Sequence, residues 1–329
     1  MTPHGDRTSI AVVIVNYRTP RLVIDCLATL LPELQDIDAR VVVVDNDSQD
    51  DSVQLIGGWI ERHAAEQRVR VVPSSCNSGF AGGNNAGIAA CDADHYLLLN
   101  SDTLVRRGAI RRLIDTAAAF PSAGLISPRL EWPDGAGQES CFRFHSPVSE
   151  LIGASQTGPV ETLLRKWKVA MPVQDSIAHP EWTSFACVLI RRQVFEQVGL
   201  LDDGYFMYFE DVEFCHRARE AGWDIVHDPE ARVVHLRGGS SPVKERARQR
   251  KRLPRYFYES RTRYFRQTWG PLGPMLANLM WLMGRSVAMA RQLFGRTDKA
   301  AIERQWLDIW TNWRRPLAPS DFGRTVKQS

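Results

Sequence analysis

An open α/β sheet with helices on both faces is the fold class this sequence predicts, on three observations. Runs such as 10–15 (IAVVIV) and 41–44 (VVVV) are apolar at every position, the pattern of strands buried on both sides of a parallel sheet. Segments in which apolar residues return every three or four positions separate those runs. Polar residues gather directly after the strands, where open α/β sheets collect their ligands.

The first strand spans 9–16. Thr19 and Pro20 then start a helix, Thr19 as its cap and Pro20 at the first helical position, where a missing N–H costs nothing. Leu22, Val23, Cys26, Leu27 and Leu30 return on one face before Pro32 ends the helix. A second strand over 40–45 (RVVVVD) leads to a helix capped within Asp50-Asp51-Ser52 and running to about His63, and a third strand follows over 69–73. The alternation continues with a helix of small residues over 80–91, a fourth strand over 95–100 (HYLLLN), a helix over 108–120 and a fifth strand over 124–128.

From 129 to 181, breakers that include Pro133, Gly135, Pro147, Gly158, Pro159, Pro172 and Pro180 interrupt the periodicity and predict loops and short helices over one edge of the sheet. Regularity returns with a strand over 182–190, a helix over 192–198, an aromatic acidic stretch from Tyr205 to Asp211, a helix over 212–221 closed by Gly222, and a last strand over 232–235.

With 329 residues, 44% hydrophobic and 24% charged, the chain has material for one large or two modest domains, which excludes a disordered or fibrous class. A net charge of +3, with both signs mixed through the first two thirds, predicts no nucleic-acid partner. Six cysteines form no C-x-x-C pair and no short-spaced Cys/His quartet, so a reduced, cytoplasmic setting is expected. Arg7 and the apolar stretch 10–15 fall short of a signal segment, which needs about 7–15 apolar residues and a cleavage site.

Composition shifts after Ser241, dividing the chain into a sheet domain over 1–241 and a basic, aromatic helical extension over 242–329. Lys244, Arg246, Arg248, Arg250, Lys251, Arg252 and Arg255 face Glu245 alone in their own stretch, and aromatics then lead into the apolar run 271–284. That run is shorter than the roughly 20 residues a bilayer span requires. The extension reads as an interfacial element that turns its cations to an anionic membrane surface, or as a helical appendage packed on the core or on a second subunit.

Four strand ends in succession carry polar residues: Asn16-Tyr17, Asp45 to Ser48, Cys76 to Gly79, and Asn100-Ser101-Asp102. One such end is ordinary turn chemistry; four favour a shared ligand. The glycines of NSGFAGGNNAG (77–87) invite a dinucleotide site, but the spacing is not G-x-G-x-x-G and the acidic strand end at Asp45 precedes them. Asp102, carried out of a buried strand, suits a hard divalent cation that takes its remaining oxygens from a diphosphate; alternatively it caps the turn. Glu210, Asp211 and Glu213 open a helix whose N-terminus stabilises anions, behind an aromatic run suited to a ring-shaped ligand above a general base. His235 ends the last strand beside glycines, as a ligand or as a satisfied structural group.

In the segments VVIVNYRTP, VVVVDNDSQDDS, NSGFAGGNNAG, LLLNSDTLV, GLLDDGYFMYFEDVEFCHRAREAGW and VVHLRGGSS, which run in that order from about 9 to 241, the chain resembles glycosyltransferase family 2. These are inverting enzymes with the GT-A fold, and the bacterial rhamnosyltransferase-like branch is the most similar. The resemblance implies an open mixed sheet, a nucleotide-sugar donor, a glycan or lipid-linked glycan acceptor and a divalent cation, Mg²⁺ or Mn²⁺. Asn16 and Tyr17 would line the nucleotide pocket, and Asp45 would bond the base or ribose. Asn77, Gly79 and Asn85 would border the nucleotide sugar. Asn100-Ser101-Asp102 takes the place of the family's D-x-D with Asn100 for the first acid, which leaves Asp102 as the carboxylate ligand and His235 as the second. Asp211, the second acid of the pair Glu210-Asp211, matches the family's base. TDP-rhamnose is the donor implied first, ahead of UDP-galactofuranose and other UDP- or GDP-sugars. A catalytically inactive binding module is the reading of another class; the intact carboxylates count against it, since binding alone needs no base.

Overall fold

The computed structural model describes residues 9–237, 242–292, 301–320 and 322. Strand and helix alternate from the start: β1 (Ile10–Asn16), α1 (Pro20–Leu30), β2 (Ala39–Asp45), α2 (Ser52–Arg62), β3 (Val69–Pro73), α3 (Gly79–Ala89) and β4 (His95–Leu99). The short β5 (Thr103–Val105), α4 (Ala109–Ala119) and β6 (Ala123–Glu131) follow. The irregular region holds β7 (Cys141–Phe142), α5 (Pro147–Ser155) and α6 (Gly158–Leu163). After it come β8 (Trp182–Thr183), β9 (Cys187–Arg191), α7 (Arg192–Val198), α8 (Glu210–Glu220) and β10 (Asp224–His235).

Eight of these strands form one sheet in the order β3-β2-β1-β4-β9-β6-β10-β5. The first four run parallel, β9 runs antiparallel to both neighbours, and β5 runs antiparallel to β10. The open mixed sheet expected from the sequence is therefore present. Because side chains alternate along a strand, Val12, Ile14, Val41 and Val43 pack under α1, α2 and α4. Ala11, Val13, Leu98 and Val188 pack on the other face with α3, α7 and α8.

The structure corrects several local expectations. Thr19 makes no side-chain cap; its hydroxyl and N–H instead lie 3.2 Å from Asn16 Oδ1. The expected strand over 182–190 is two strands, because 184–186 leave the β7–β8 pair before β9 enters the main sheet. The last strand begins at Asp224, eight residues before its apolar end, with an irregular register between Asp228 and Arg232. Pro229 in that interval, lacking an N–H, hides the strand from periodicity. The glycines after Arg237, like His4 and Arg7, lie outside the described residues.

Past Pro242 the chain forms α9 (Val243–Arg248), α10 (Arg255–Thr268), α11 (Gly273–Gln292) and α12 (Gln305–Asp308). Tyr264 and Phe265 of α10 and Ala277 of α11 are fully buried in the sheet's second core, so the described part of the extension packs on the sheet domain. Burying each ring contributes about 1.5–3 kcal/mol. Gly284 lets α11 close on α5, since a Cβ there would meet the Leu151 carbonyl oxygen at 2.5 Å. Several cations of the extension pair with carboxylates distant in sequence: Arg261 with Glu150 (2.8 Å), Arg263 with Asp202 (2.8 Å) and Arg252 with Asp308 (2.8 Å). Among the described residues no helix is long and apolar enough to cross a membrane.

Candidate active site

A cleft of about 1040 Å³ opens beyond the carboxyl ends of β1, β2 and β4. Tyr17, Asn77, Gly79, Asn100, Ser101 and Asp102 line it from the strand ends, and Glu210, Asp211 and His235 line it from α8 and β10. Nine of the twelve residues singled out in the sequence thus share one cavity.

The other three do not line it. Asn16 is fully buried and donates to Asp45 Oδ1 at 2.7 Å and to Ser48 Oγ at 3.1 Å, while Ser48 Oγ donates to the same carboxylate at 2.6 Å. This network ties β1 to the turn after β2. Asn85 donates to Leu201 O at 2.8 Å and accepts from Leu201 N–H at 3.1 Å, which fastens α3 to the loop ahead of the acidic segment.

The strand-end side is built by side-chain bonds to backbone. Asn46 Nδ2 donates to Gly79 O (2.8 Å) and Asn77 Oδ1 (3.1 Å), and its Oδ1 accepts from Ser78 N–H (3.1 Å). Asn46 also lines the cleft, and its place inside the DNDS turn was the signal for it. Gly79 sits at φ +73, and a Cβ there would lie 1.9 Å from the Phe206 carbonyl oxygen, which accepts the Phe80 N–H at 2.8 Å. Only glycine permits this approach of α3 to the acidic segment. Antiparallel β9 completes the floor, since Asn100 N–H donates to Ala186 O at 2.9 Å.

Tyr208 and Phe209, immediately ahead of α8, both have left-handed backbones (φ 71 and 70), a costly conformation for aromatic residues that the surrounding packing must hold. Phe209 points back into the core against Tyr264 (5.5 Å) and Phe257 (5.8 Å), and the fully buried Tyr205 donates to Gln267. The aromatic run therefore serves chiefly as an anchor; Phe206 and Tyr208 alone of its rings face the cleft. Other aromatic walls come from Trp132 and from the stacked pair Phe142 and Trp182 (4.2 Å), which lay in or beside the irregular region and carried no motif.

With its start so fixed, α8 presents two adjacent carboxyls. Burial raises Glu210 well above the usual carboxylate range, the Asp211 charge adds to this, and Glu210 Oε2 has no hydrogen-bond partner among the described residues. Asp211 is pushed up to about 6, also by burial, while the Val212 N–H at 2.8 Å and Lys244 restrain the rise. A carboxyl so poised is ionised at neutral pH and basic enough to take a proton.

At the opposite end of the cleft His235 Nε2 lies 3.4 Å from Asp102 Oδ1, both residues are buried, and His235 Nδ1 has no partner among the described residues. No cluster of three or more His, Cys, Asp and Glu side chains suited to a metal exists among the described residues. A carboxylate with a facing imidazole still fits a hard cation that draws most of its oxygens from phosphate and water. Two cations that the sequence reading did not single out as site residues complete this end. Arg237 stacks on Trp132 (5.3 Å) and donates to Gln138, whose amide donates in turn to His235 O (2.7 Å) and Glu131 O (3.0 Å); Lys244 lines the cleft from α9.

Comparison with known proteins identifies the family behind this fold. The model of "Glycosyltransferase like family 2" matches residues 7–253. An N-acetylglucosaminyl-diphospho-decaprenol L-rhamnosyltransferase of Mycobacterium tuberculosis is 29% identical over 291 residues, 82% of this chain and 87% of that protein. The low-salt glycan biosynthesis hexosyltransferase Agl10 of Haloferax volcanii is 30% identical over 66% of this chain and 63% of its own length. A mannosyltransferase from Pyrobaculum calidifontis, solved in complex with GDP-Man and Mn²⁺, shares the fold at a TM-score of 0.57 and 14% identity, covering 95% of this chain and 86% of its own. Since the matched stretch takes in the whole sheet and both acidic loops, the chain belongs to glycosyltransferase family 2 and carries the GT-A fold.

Proposed function

We propose that this glycosyltransferase moves rhamnose from TDP-rhamnose, with inversion, to a hydroxyl of a lipid-linked glycan in cell-surface polysaccharide synthesis. The observation that carries the reading is one cleft with a proton-accepting carboxylate, Asp211, on one side and a metal-suited pair, Asp102 and His235, on the other. Similarity to the mycobacterial rhamnosyltransferase, whose name specifies a diphospho-decaprenol acceptor, supports the donor and the lipid anchor.

Asp211 takes the proton of the acceptor hydroxyl while that oxygen bonds to the anomeric carbon from the side opposite the diphosphate. The bond to the diphosphate breaks, and its electron pair leaves with the nucleoside diphosphate. Asp102 and His235 would hold the divalent cation, whose charge would offset that of the departing diphosphate. Arg237 and Lys244 add positive charge at the same end, and Asn77, Gly79, Asn100 and Ser101 border the donor. Asn16, Asp45 and Asn85 position the loops that do so.

The test is a panel of nucleotide sugars with Mn²⁺, read as thermal stabilisation of the purified chain. TDP-rhamnose is expected to raise the melting temperature most, with the increase reduced by chelator. A larger shift with UDP-galactofuranose or a GDP-sugar would reassign the donor, and stabilisation by a nicotinamide dinucleotide instead would overturn the reading.

A further inference from the structure

Outside the cleft, the most unusual surface is one side of α11. Leu272, just ahead of the helix, and Met275, Leu276, Leu279 and Met283 within it are each 41–59% exposed. Their spacing places them on one helical face about 17 Å long at 1.5 Å per residue. Between 271 and 284 the sequence contains no charged residue, and its one polar side chain, Asn278, is buried, receiving Arg261 Nη1 at 2.7 Å and donating to Ile309 O at 2.9 Å. The outward face is thus wholly apolar while the inward face carries the polar bonds, the reverse of a surface helix on a monomer in water.

The segment that Asn278 contacts exposes further groups of the same extension. Trp306 (60%) and Trp313 (53%) are exposed on it. Arg304, Arg314 and Arg315 are exposed with no carboxylate at ion-pair distance among the described residues, and so is Lys251. The charge of the whole chain is divided in the same sense. Residues 242–329 hold 19 Lys and Arg against 6 Asp and Glu, whereas 1–241 hold 22 against 32.

We infer that the apolar face of α11, on an extension that also exposes tryptophans and arginines, is a docking surface for an anionic lipid membrane, in which the helix lies along the headgroup boundary. Leucine and methionine enter the acyl edge, tryptophan suits the interface, and the cations meet the lipid phosphates. The charge division selects a lipid surface over a second copy of the chain, because two copies joined at this face would bring their basic extensions together. The inference deepens the proposed lipid-linked acceptor, since it brings the enzyme to the surface where such an acceptor resides, but its observations do not depend on the sugar transferred.

The test is flotation of the full chain with phosphatidylglycerol vesicles and with phosphatidylcholine vesicles, in the absence of donor and acceptor. At low salt the wild type is expected to float with the anionic vesicles and to bind neutral ones at least tenfold more weakly. Replacing the exposed Leu276, Leu279 and Met283 by serine should lower anionic binding at least tenfold without moving the melting temperature. Arg314→Gln with Arg315→Gln should reduce it in a salt-dependent way. Equal flotation of the serine variant, or no flotation of the wild type, overturns the inference. So does a dimer in solution that the serine substitutions dissociate while lipid binding stays absent. Because no sugar is transferred in this assay, its failure leaves the proposed reaction standing.

Discussion

At one side of the cleft two neighbouring carboxyls lie together, Glu210 buried and Asp211 partly buried; at the other a single carboxylate, Asp102, faces an imidazole and shares its surroundings with Arg237 and Lys244. Negative charge is costly on the first side and supported on the second. The first arrangement makes a carboxylate that wants a proton, the second a place where added negative charge is stabilised. Both are reached within one fold by opposite use of the same residue type, and the contrast depends on backbone: α8 begins after two left-handed aromatics, whereas Asp102 follows an ordinary strand end.

Exchanging charge for neutrality on the base side should have the largest effect. Asp211→Asn keeps the shape and removes the basicity, so turnover should fall by about 10²–10⁴. Donor affinity should be nearly unchanged. The same variant should be more stable at pH 7, by on the order of 1 kcal/mol in denaturant unfolding. A carboxyl raised from 3.8 to about 6 binds more protons folded than unfolded, so its contribution to stability declines as pH rises through that interval, and asparagine removes the loss.

On the other side Asp102→Ala should act mainly on binding, weakening Mn²⁺-dependent nucleotide affinity by about 10–100-fold. Equal affinity with and without chelator in both proteins would remove the cation from this end. The smallest effect belongs to Glu210→Gln. Burial and the adjacent Asp211 charge favour the neutral form of Glu210, so the neutral isostere should leave kcat/KM within a few-fold and leave its acid limb, expected near pH 6 from Asp211, in place. A limb moved well below 6 in this variant would mean that Glu210 is ionised in the wild type and shares the proton.

Most of the sheet was legible in the sequence because its strands are buried on both faces and read as unbroken apolar runs. Where strands are short or interrupted the signal fails: β5 has three residues, and Pro229 divides the pattern of β10. The strand-end residues that line the cleft were legible as polar turns, yet the same signal selected Asn16 and Asp45, and the family resemblance selected Asn85, all three with polar atoms taken up within the chain. Residue type tells that a polar group lies at a strand end but not which way it turns. Tyr205 and Phe209 make the same point for aromatics, since they anchor the acidic loop to α10 from inside the core. Arg237 and Lys244 were read only as part of a basic stretch or a strand terminus, because their meaning comes from the long-range closure of β10 and α9 over the cleft.

The configuration of the new glycosidic bond tests the central claim most directly. With a nucleotide sugar of known anomeric configuration and the wild-type chain, NMR of the purified product should show the opposite configuration, as a single displacement with Asp211 as base requires. A product that retains the donor's configuration would contradict the account, because it would demand a covalent intermediate or a front-face path in which Asp211 has no place as the sole base.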